Sequence, residues 1–393
     1  MYQTESGFCM DGWIMIISLV GGGFVLLAIF VLILYCIDKG CKSQKMNVDE
    51  KIINTMLKYG LQRGPVLGHG SYGKVYQGYW TPRDGVITVG RFVKVAVAIK
   101  YLNKKLPNDE RTQILDEMFS LSNEHILKPL IVCSDYEQVM LVNPLLPLGN
   151  LLNYVQKNKE NISTKHLLEW SLQIAQGMAY LEDLGIVHGD LATRNIMVKS
   201  PTSIKINFDG LSKVHNILND HYRKWLSPES LKTKTFTIKS DVWSFGITAW
   251  ELLTFGGDPW KNTWGYWSNL EMKLDDGDRL PQPAIATNEV FHQLLKCWIY
   301  EPDRRPSFKE LVDVFSNMVQ TPDQYLILPE PKSKYLPTSD PEMEKLLPCF
   351  FAANIGGSEE VMTADEYLEK SELSSYTTSV YWENEKPIYK RNK

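Results

Sequence analysis

The sequence has few cysteines, and those it has are scattered. Its six cysteines form no CxxC pair and lie in no cluster with histidine. They are Cys9, Cys36, Cys41, Cys133, Cys297 and Cys349. Zinc sites and disulfide-rich scaffolds need closely spaced cysteines, so neither is indicated. An excess of charge of one sign is also missing, because 42 basic residues are set against 46 acidic ones. Without a basic tract, the sequence does not predict binding to nucleic acid.

Long uncharged apolar runs are absent as well, with one exception near the N-terminus. The stretch Trp13–Ile37 contains no charged side chain. As a helix it would be about 37 Å long, enough to cross about 30 Å of bilayer hydrocarbon with modest tilt. Acidic residues precede it and three lysines follow it, an asymmetry that places the following chain in the cytoplasm. We therefore predict a single-pass protein of the plasma membrane, with residues 1–12 outside, a transmembrane helix at 13–37 and a juxtamembrane segment at 38–59.

Beyond residue 59 the pattern is first typical of strands and then of helices. The stretch 61–80 alternates and is rich in glycine, β-branched and aromatic residues, which predicts two strands joined by a glycine turn. Phe92–Leu102 predicts a further strand. Later, apolar residues recur at steps of three and four, as in HLLEWSLQIAQGMAYLEDLG, where Gly185 marks a helix stop. The fold class is therefore α+β, with a β-rich N-lobe (60–146) and an α-helical C-lobe (147–320).

After Gln320 the composition shifts toward proline, glutamate, serine and tyrosine, without apolar periodicity. Segments of this kind cannot bury enough apolar surface to fold independently. We therefore predict that residues 321–393 form a flexible, tyrosine-containing tail.

A glycine-rich turn lies between the first two predicted strands. In GHGSYGKV, Gly68, Gly70 and Gly73 are spaced so that backbone can lie close over phosphate groups, and Val75 follows where a side chain can pack on a base. Dinucleotide-binding folds have the same glycine spacing, but there a helix follows, whereas VYQGYW is strand-like. Alone, the motif is a weak sign of nucleotide binding.

A lysine and a glutamate further along strengthen this interpretation. In VAIK, strand alternation puts Ala98 and Lys100 on one face, so that the ammonium can point into a cleft beneath the glycine loop. Glu117, on a helix predicted from ERTQILDEMFSL, offers the carboxylate that such a lysine needs. A lysine at a strand end is usually only solvated, so Lys100 gains its significance from the other motifs.

The stretch HGDLATRN has the residues of a phosphoryl-transfer loop. Asp190 can accept a hydroxyl proton, and Asn195, five residues later, can hold a metal ion. The glycine loop, Lys100, Glu117 and these two residues occur in the order that such chemistry requires. A set of this kind does not arise readily by chance.

With these motifs, the chain resembles the protein kinases, specifically the receptor tyrosine kinases of the EGF-receptor (ErbB) family, from Leu61 onward. The resemblance is carried by DEMFSL, LLPLGNLLNYVQKNKENI, SDVWSFGITAWELLTFG, GDRLPQP and KCWIYEPDRRPSF, and in the tail by DQYLILP and TADEYL. LATRN has no lysine two residues after the family's catalytic aspartate, and it has Arg194 four residues after it. In this it is similar to the tyrosine-specific branch. The resemblance implies a bilobal kinase fold behind a single transmembrane helix.

The resemblance also implies roles for individual residues. Lys100 would contact the nucleotide phosphates and pair with Glu117, Asp190 would be the catalytic base, and Asn195 would be a metal ligand. Arg194 would be a further catalytic residue, together with Lys100, Asp190 and Asn195. The other nucleotide contacts would come from Val75, Ala98, Met197 and the hinge backbone at Leu146. The implied cofactors are ATP and Mg²⁺ or Mn²⁺, and the implied substrate is a tyrosine of a protein.

Partners follow from the same resemblance. It implies a homodimer or a heterodimer with another EGF-receptor-like kinase, and adaptors that read phosphotyrosine on the tail. Tyr367, in DEYL, is the favoured phosphorylation site, and Tyr222 in the activation segment is a second candidate. Glu229 and Arg305 would form a buried pair that braces the C-lobe.

The chain departs from the family pattern in four places. Gly189 replaces the arginine of the His-Arg-Asp loop and so removes a cation that would meet an activation-loop phosphotyrosine. The activation segment is shorter than the family's, which puts the docking of a substrate tyrosine in doubt. A ligand-binding ectodomain and a full dimer-latching juxtamembrane region are not expected, so neither is control by EGF-like factors.

The fourth departure is KINFDGLSK (Lys205–Lys213), where the family has KITDFGLAK. In strict register Phe208 takes the place of the magnesium aspartate, and Asp209 takes the place of the packing phenylalanine. The metal then loses a charged ligand and a carboxylate faces an apolar pocket. A local slip of the chain would instead bring Asp209 to the metal. The sequence leaves both alternatives open.

Two functions compete on these grounds. The first, which we prefer, is a membrane-anchored tyrosine kinase that uses ATP and magnesium, because Lys100, Glu117, Asp190 and Asn195 are all present. The second is a pseudokinase, ATP-binding or inert, that activates a partner kinase or serves as a phosphotyrosine scaffold. A weaker third is a membrane-tethered adaptor in which only the tail acts.

Overall fold

The computed structural model of the chain describes residues 60–70, 73–81, 92–102, 117–118, 121–134, 139–208, 222–261, 268–333, 335–340, 359–363, 379–383 and 386–390. The predicted transmembrane helix at 13–37 lies outside these residues, as do its flanking segments 1–12 and 38–59. Within the described ranges, no helix is both long and apolar enough to cross a bilayer. By compactness the chain divides into two units, Met1–Leu61 and Gln62–Lys393.

The N-terminal part of the described chain is built on one large sheet. Its strands are β1 (Leu61–Gly70), β2 (Gly73–Trp80), β3 (Phe92–Leu102), β5 (Ile131–Ser134) and β6 (Val139–Pro144). They lie in the order β1-β2-β3-β6-β5. The prediction of two strands meeting at the glycine turn is confirmed, and β3 has the predicted bounds. Its VAVAI core is packed as expected for a central strand, since Val95, Ala96, Val97 and Ile99 are fully buried.

Three strands from the C-terminal segment extend this sheet. They are β9 (Glu359–Met362), β10 (Ser379–Glu383) and β11 (Lys386–Lys390). Strand β10 pairs in parallel with β5 and antiparallel with β11, while β9 pairs in parallel with the start of β3. The expectation of a flexible tail is not met in these three segments. The reason is that a sheet edge offers unpaired backbone N–H and C=O groups that can order a short segment with little apolar periodicity of its own.

The beginning of the tail, residues 321–340, also packs on the C-lobe. The hydroxyl of Tyr154 donates to the carbonyl of Pro337 at 3.0 Å, and Lys157 Nζ lies 2.9 Å from Asp340 Oδ2. Burial raises the pKa of Tyr154 to about 12, so this phenol keeps its proton and remains a donor at physiological pH. Leu336 joins the hydrophobic core.

The C-lobe is mainly helical. Its helices are α1 (Leu151–Lys157), α2 (Thr164–Asp183), α3 (Pro228–Thr233), α4 (Ile238–Leu253), α5 (Ser268–Asp275), α6 (Asn288–Cys297) and α7 (Phe308–Gln320). A small sheet of β4 (Ile126–Leu127), β8 (Ser203–Asn207) and β7 (Ile196–Ser200) accompanies them, in that spatial order. Side-chain caps at Ser163, Thr237 and Ser307 start α2, α4 and α7. The predicted stop of α2 is confirmed, because Gly185 follows it with a φ of +69°, a conformation that glycine adopts without strain.

Helix α4 is the centre of the C-lobe. Every residue from Ser240 to Leu253 is buried. A helix that is covered on all sides cannot leave charged groups unpaired, because an isolated charge in a low-dielectric interior is very costly. The two carboxylates within it, Asp241 and Glu251, must therefore have partners. Both accept hydrogen bonds from the loop that precedes β7, and Glu251 also accepts one from Trp225.

A buried ion pair ties α3 to the segment before α7. Arg305, 2% exposed, donates to both carboxylate oxygens of Glu229 at 2.6 and 2.8 Å. Its remaining N–H groups donate to the carbonyls of Ile299, Tyr300 and Lys239. All five guanidinium hydrogens therefore have an acceptor, and the predicted pair is confirmed. Burial alone would raise the pKa of Glu229, but Arg305, with a smaller contribution from Ser227, lowers it below its ordinary value.

We expect Arg305→Met to lower the free energy of unfolding by about 3–5 kcal/mol, because it strands a half-buried carboxylate and three carbonyls. Arg304→Met is the matched control. That arginine lies 3.6 Å from Glu301 in a pair whose side chains are 72% and 59% exposed, so we expect a cost of about 0.5 kcal/mol or less. Urea unfolding of the full chain measures both.

The same pair makes stability depend on pH. A carboxyl whose pKa is lowered by folding stabilises the fold above its unfolded pKa and loses that effect as the pH falls through its folded pKa. The gap between wild type and Arg305→Met should therefore shrink as the pH is taken below the ordinary glutamate value of 4.5. A gap that stays constant with pH, or equal costs for the two arginines, would contradict the prediction.

The tail strands give a second prediction. Deleting residues 379–393 removes β10 and β11 and uncovers the backbone groups of β5, and uncovered sheet edges pair with other chains. We expect concentration-dependent self-association by analytical ultracentrifugation. Ending the chain at Lys390 instead keeps both strands and should leave the sedimentation of the full chain unchanged. Equal behaviour of the two truncated chains would argue against the role assigned to the strands.

Candidate functional site

The site is organised by one face of the buried helix α4. Asp241, Thr248 and Glu251 are seven and three positions apart, so they lie on the same side of the helix. This side faces the loop 188–195, which carries the predicted phosphoryl-transfer residues. The two carboxylates and the hydroxyl bind that loop at separate points.

Asp241 holds the start of the loop. Its Oδ2 accepts the backbone N–H of His188 at 2.7 Å, and its Oδ1 accepts that of Gly189 at 2.8 Å. Gly189 has a φ of +71°. The glycine that replaces the family's arginine is therefore suited to its backbone conformation, although the replacement removes a positive charge. The N–H of Asp190 then donates to Nδ1 of His188 at 3.1 Å.

Thr248 and Glu251 hold the rest of the loop. The Thr248 hydroxyl, with its one proton, lies within donating distance of two carbonyls, that of Leu191 at 3.2 Å and that of Ser244 in its own helix at 2.8 Å. Glu251 accepts the N–H of Thr193 at 3.1 Å, the hydroxyl of Thr193 at 2.9 Å and the indole N–H of Trp225 at 2.9 Å. Burial raises the pKa of the Glu251 carboxyl, although Trp225, Thr193 and Arg194 all act in the opposite direction.

The loop brings the three predicted catalytic side chains together. Arg194 Nη2 donates to Asp190 Oδ1, and Asn195 Nδ2 donates to the carbonyl of Asp190 at 2.8 Å. The Arg194 guanidinium also lies over two aromatic rings, 4.1 Å from the centroid of Trp225 and 4.7 Å from that of Tyr222. Within the described chain Oδ1 of Asn195 accepts no hydrogen bond, which leaves a hard oxygen of the kind that Mg²⁺ prefers.

Most of the predicted nucleotide residues lie on β1, β2, β3 and β7, and Leu146 lies just after β6. Val75 is the register partner of Lys100, and Ala98 is that of Asn143, so the strands align as the alternation predicted. Lys100 is 7% exposed. Val75, Ala98 and Met197 are half-buried.

Two backbone features fit an ATP-like ligand. A Cβ added at Gly68 would meet no protein atom within 4 Å, so there is room at the glycine loop, where Gly70 and Gly73 complete the motif. At the predicted hinge, the carbonyl of Leu146 accepts the N–H of Gly149 at 3.1 Å. The N–H of Leu146 has no hydrogen-bond partner among the described residues. That donor is available to a purine nitrogen.

Glu117 lies in the short described helical segment 117–118 and is half-buried. Asp209, the second predicted metal ligand, lies outside the described residues, and so does the predicted phosphosite Tyr367. The described part of the chain contains no group of three or more histidine, cysteine, aspartate or glutamate side chains able to hold a metal ion. Any metal bound at this site would therefore depend on ligands beyond Asn195, from phosphate, water or the rest of the chain.

Phe208 stands where strict register puts the magnesium aspartate. Its side chain is 2% exposed, and its ring centroid lies 5.8 Å from that of His188 at an interplanar angle of 60°. This is a packed aromatic pair, so the position serves the core of the loop and supplies no charged ligand. Both alternatives for Asp209 remain predictions.

The sequence-based prediction missed the residues that hold the loop: Asp241, Thr248, Glu251 and Trp225. A signal for three of them was present. Polar residues at steps of seven and three within an otherwise apolar helix indicate a buried face with fixed polar partners. No comparable signal marks Trp225, because an isolated tryptophan has no periodicity.

Comparison with known proteins agrees with this arrangement. The family described as protein tyrosine and serine/threonine kinase matches residues 61–315. The chain is 41% identical over 320 residues to the epidermal growth factor receptor of Apis mellifera, which covers 79% of this chain and 24% of that protein. It is 39% identical to the epidermal growth factor receptor of Drosophila melanogaster over 320 residues, covering 79% and 22% of the two chains.

A vertebrate relative gives the same picture. Human receptor tyrosine-protein kinase erbB-4 is 39% identical over 321 residues, which covers 78% of this chain and 23% of that protein. The chain thus spans about a quarter of the length of the curated relatives it matches. The chain belongs to the protein tyrosine and serine/threonine kinase family, with a kinase domain similar to those of the epidermal growth factor receptors.

Proposed function

We propose that the protein is a membrane-anchored, EGF-receptor-like tyrosine kinase that transfers the γ-phosphoryl group of ATP to a tyrosine hydroxyl of a protein. The observation that carries this proposal is the loop 188–195. It presents Asp190 with Arg194 on its carboxylate and Asn195 on its carbonyl, and three side chains of a buried helix hold it. A fixed carboxylate is what a general base requires.

In this function Asp190 orients the substrate hydroxyl and accepts its proton, while Arg194 holds the carboxylate in place. Lys100 and the backbone at Gly68, Gly70 and Gly73 bind the phosphates. Glu117 would keep the lysine directed at them. Val75, Ala98, Met197 and the Leu146 backbone would hold the adenine. Mg²⁺ or Mn²⁺, held by Asn195 and by Asp209 if it reaches the site, would neutralise charge on the phosphates when bound.

The cellular setting is proposed on the sequence alone. The uncharged run at 13–37 and the lysines after it support a single-pass protein of the plasma membrane with residues 1–12 outside and the kinase domain in the cytoplasm. The likeness to receptor kinases supports dimers with itself or with an EGF-receptor-like kinase. Tyr367 and Tyr222 are the proposed phosphorylation sites, with phosphotyrosine-reading adaptors as partners of the former.

A pseudokinase is the second candidate, and Phe208 favours it. An aromatic ring buried on His188 replaces a charged ligand in strict register, which weakens the hold on the metal. In that case the domain would act on a partner kinase or as a scaffold, with or without bound ATP.

The first test is Asp190→Asn in the full chain, with ATP and Mg²⁺ or Mn²⁺ and a tyrosine-containing peptide. We expect tyrosine phosphorylation to fall by about 10²–10⁴-fold, since the amide cannot accept the proton. The matched control is Asp183→Asn, which removes an exposed ion pair with Lys309 at the end of α2 and should leave the rate unchanged. Equal product from wild type and Asp190→Asn would exclude the kinase and leave the pseudokinase.

A second test concerns nucleotide binding. We expect Lys100→Met to weaken ATP affinity by about tenfold or more, because one charge-assisted contact is worth about 1.5–3 kcal/mol. Lys199→Met, on the exposed side of β7, is the control and should bind ATP as wild type does. Thermal shift with ATP, with and without Mg²⁺, measures this. Loss of the shift in both variants, or in neither, would contradict the assignment of Lys100.

A further inference from the structure

Glu251 binds the catalytic loop from helix α4. It is 2% exposed and sits near the C-terminal end of α4, where its three hydrogen bonds go to two different segments. Two bonds go to Thr193, in the turn Thr193–Asn195 of the catalytic loop. The third goes to Trp225, in the short helix Tyr222–Trp225 at the end of the activation segment. One carboxylate thus fixes both segments to the same helix.

Arg194 links these two segments, because it belongs to the first and contacts the second. This residue directly follows Thr193, and its guanidinium lies 4.1 Å from the ring centroid of Trp225. Its Nη2 donates to Asp190, while its Nε and Nη1 are buried and have no hydrogen-bond partner among the residues that the structure describes. Among the described residues, the guanidinium is therefore oriented by the bond to Asp190 and by two aromatic rings, of which the indole is the nearer at 4.1 Å and the Tyr222 ring the farther at 4.7 Å. An indole that rotated would no longer support it.

We propose that Glu251 is a positioning residue that keeps Arg194 on Asp190, by fixing the Thr193 turn and the plane of the Trp225 indole at the same time. Its effect on phosphoryl transfer rests on the proposed kinase function. Its effect on the geometry of the loop does not.

Hydrogen-bond chemistry makes this testable with a conservative change. A glutamine at 251 can accept the two N–H donors on its amide oxygen, while its NH₂ donates to the Thr193 hydroxyl, which turns to become the acceptor. Glu251→Gln thus keeps all three bonds, while it loses the charge and adds one amide hydrogen that none of the three partners accepts. Glu251→Met keeps the volume and loses all three. Positioning by hydrogen bonds therefore predicts that glutamine restores what methionine loses.

We expect Glu251→Met to lower kcat by about a hundredfold, at unchanged ATP affinity and after normalising to ATP-binding sites, since small misplacements of catalytic groups have effects of this size. Glu251→Gln should recover most of that loss. If Glu251→Met does not fold, Thr193→Val and Trp225→Phe each remove one donor and should lower kcat by about tenfold. A wild-type kcat in both Thr193→Val and Trp225→Phe would overturn the proposal.

A matched control separates positioning from general loss of stability. Trp250 lies next to Glu251, is 8% exposed and donates its indole N–H to the carbonyl of Pro281 at 2.7 Å, away from the loop. Trp250→Phe therefore removes a comparable buried bond without touching Thr193 or Trp225. It should lower the melting temperature as Trp225→Phe does, and leave kcat unchanged. Equal losses of kcat in the two would mean that the role of Trp225 is only structural.

A double-mutant cycle tests the route through Arg194. A lysine keeps the charge but has no flat group to stack on an indole. In an Arg194→Lys background, Trp225→Phe should change kcat by less than about twofold, because the element it acts through is already gone. Additive losses would show that Trp225 acts by another route, and the proposal would fail.

Amide exchange in the full chain tests the geometry without catalysis. The Thr193 N–H, bonded to Glu251, should exchange about tenfold faster or more in Trp225→Phe and in Glu251→Met than in wild type or Trp250→Phe. If wild type transfers no phosphate but exchange follows this order, the kinase proposal fails and the positioning role stands. If exchange is the same in all four, the positioning role fails, whether or not wild type is active.

Discussion

The buried carboxylates of helix α4 are the constraint on which the site depends. Asp241 binds two successive N–H groups at the start of the catalytic loop, and Glu251 binds its end together with Trp225. Neither charge would be tolerable inside the lobe without those donors, and the loop has few other partners for them. Helix and loop therefore require one another. The position of Asp190 follows from this mutual requirement, because its neighbours on both sides are held.

Periodicity predicted those parts of the fold in which burial imposes a pattern. The alternation in β3 and the three- and four-residue steps in α2 each reflect one buried face, so both elements lie where expected. Strands β9 to β11 could not be found in this way. They are short, and β11 pairs only with β10, which itself depends on the free edge of β5 more than two hundred residues earlier, while β9 pairs with the equally distant start of β3. Local sequence contains no information about that edge.

The candidate site divides along a similar line. Lys100, Asp190 and Asn195 belong to motifs whose chemistry requires those residue types, so spacing was enough to predict roles for them. Glu251 and Trp225 act through hydrogen bonds between segments that are distant in sequence, which spacing does not reveal. Phe208 is intermediate. Its exchange with Asp209 was visible in the sequence, but its burial against His188 was a matter of packing. The sequence showed only that Gly189 replaces an arginine. The structure adds that its backbone has a positive φ, which glycine adopts without strain.

The pairing of β10 has a consequence for recruitment. This strand lies between β5 and β11, with a backbone partner on each side at Tyr381. A protein that reads an extended peptide around that tyrosine needs the same backbone groups and must first take the strand away from the sheet. The pairing would thus lower the apparent affinity of such a protein by a factor set by the stability of the paired strand. Strand β5 of the kinase domain and the peptide-reading protein would therefore compete for the backbone groups of β10.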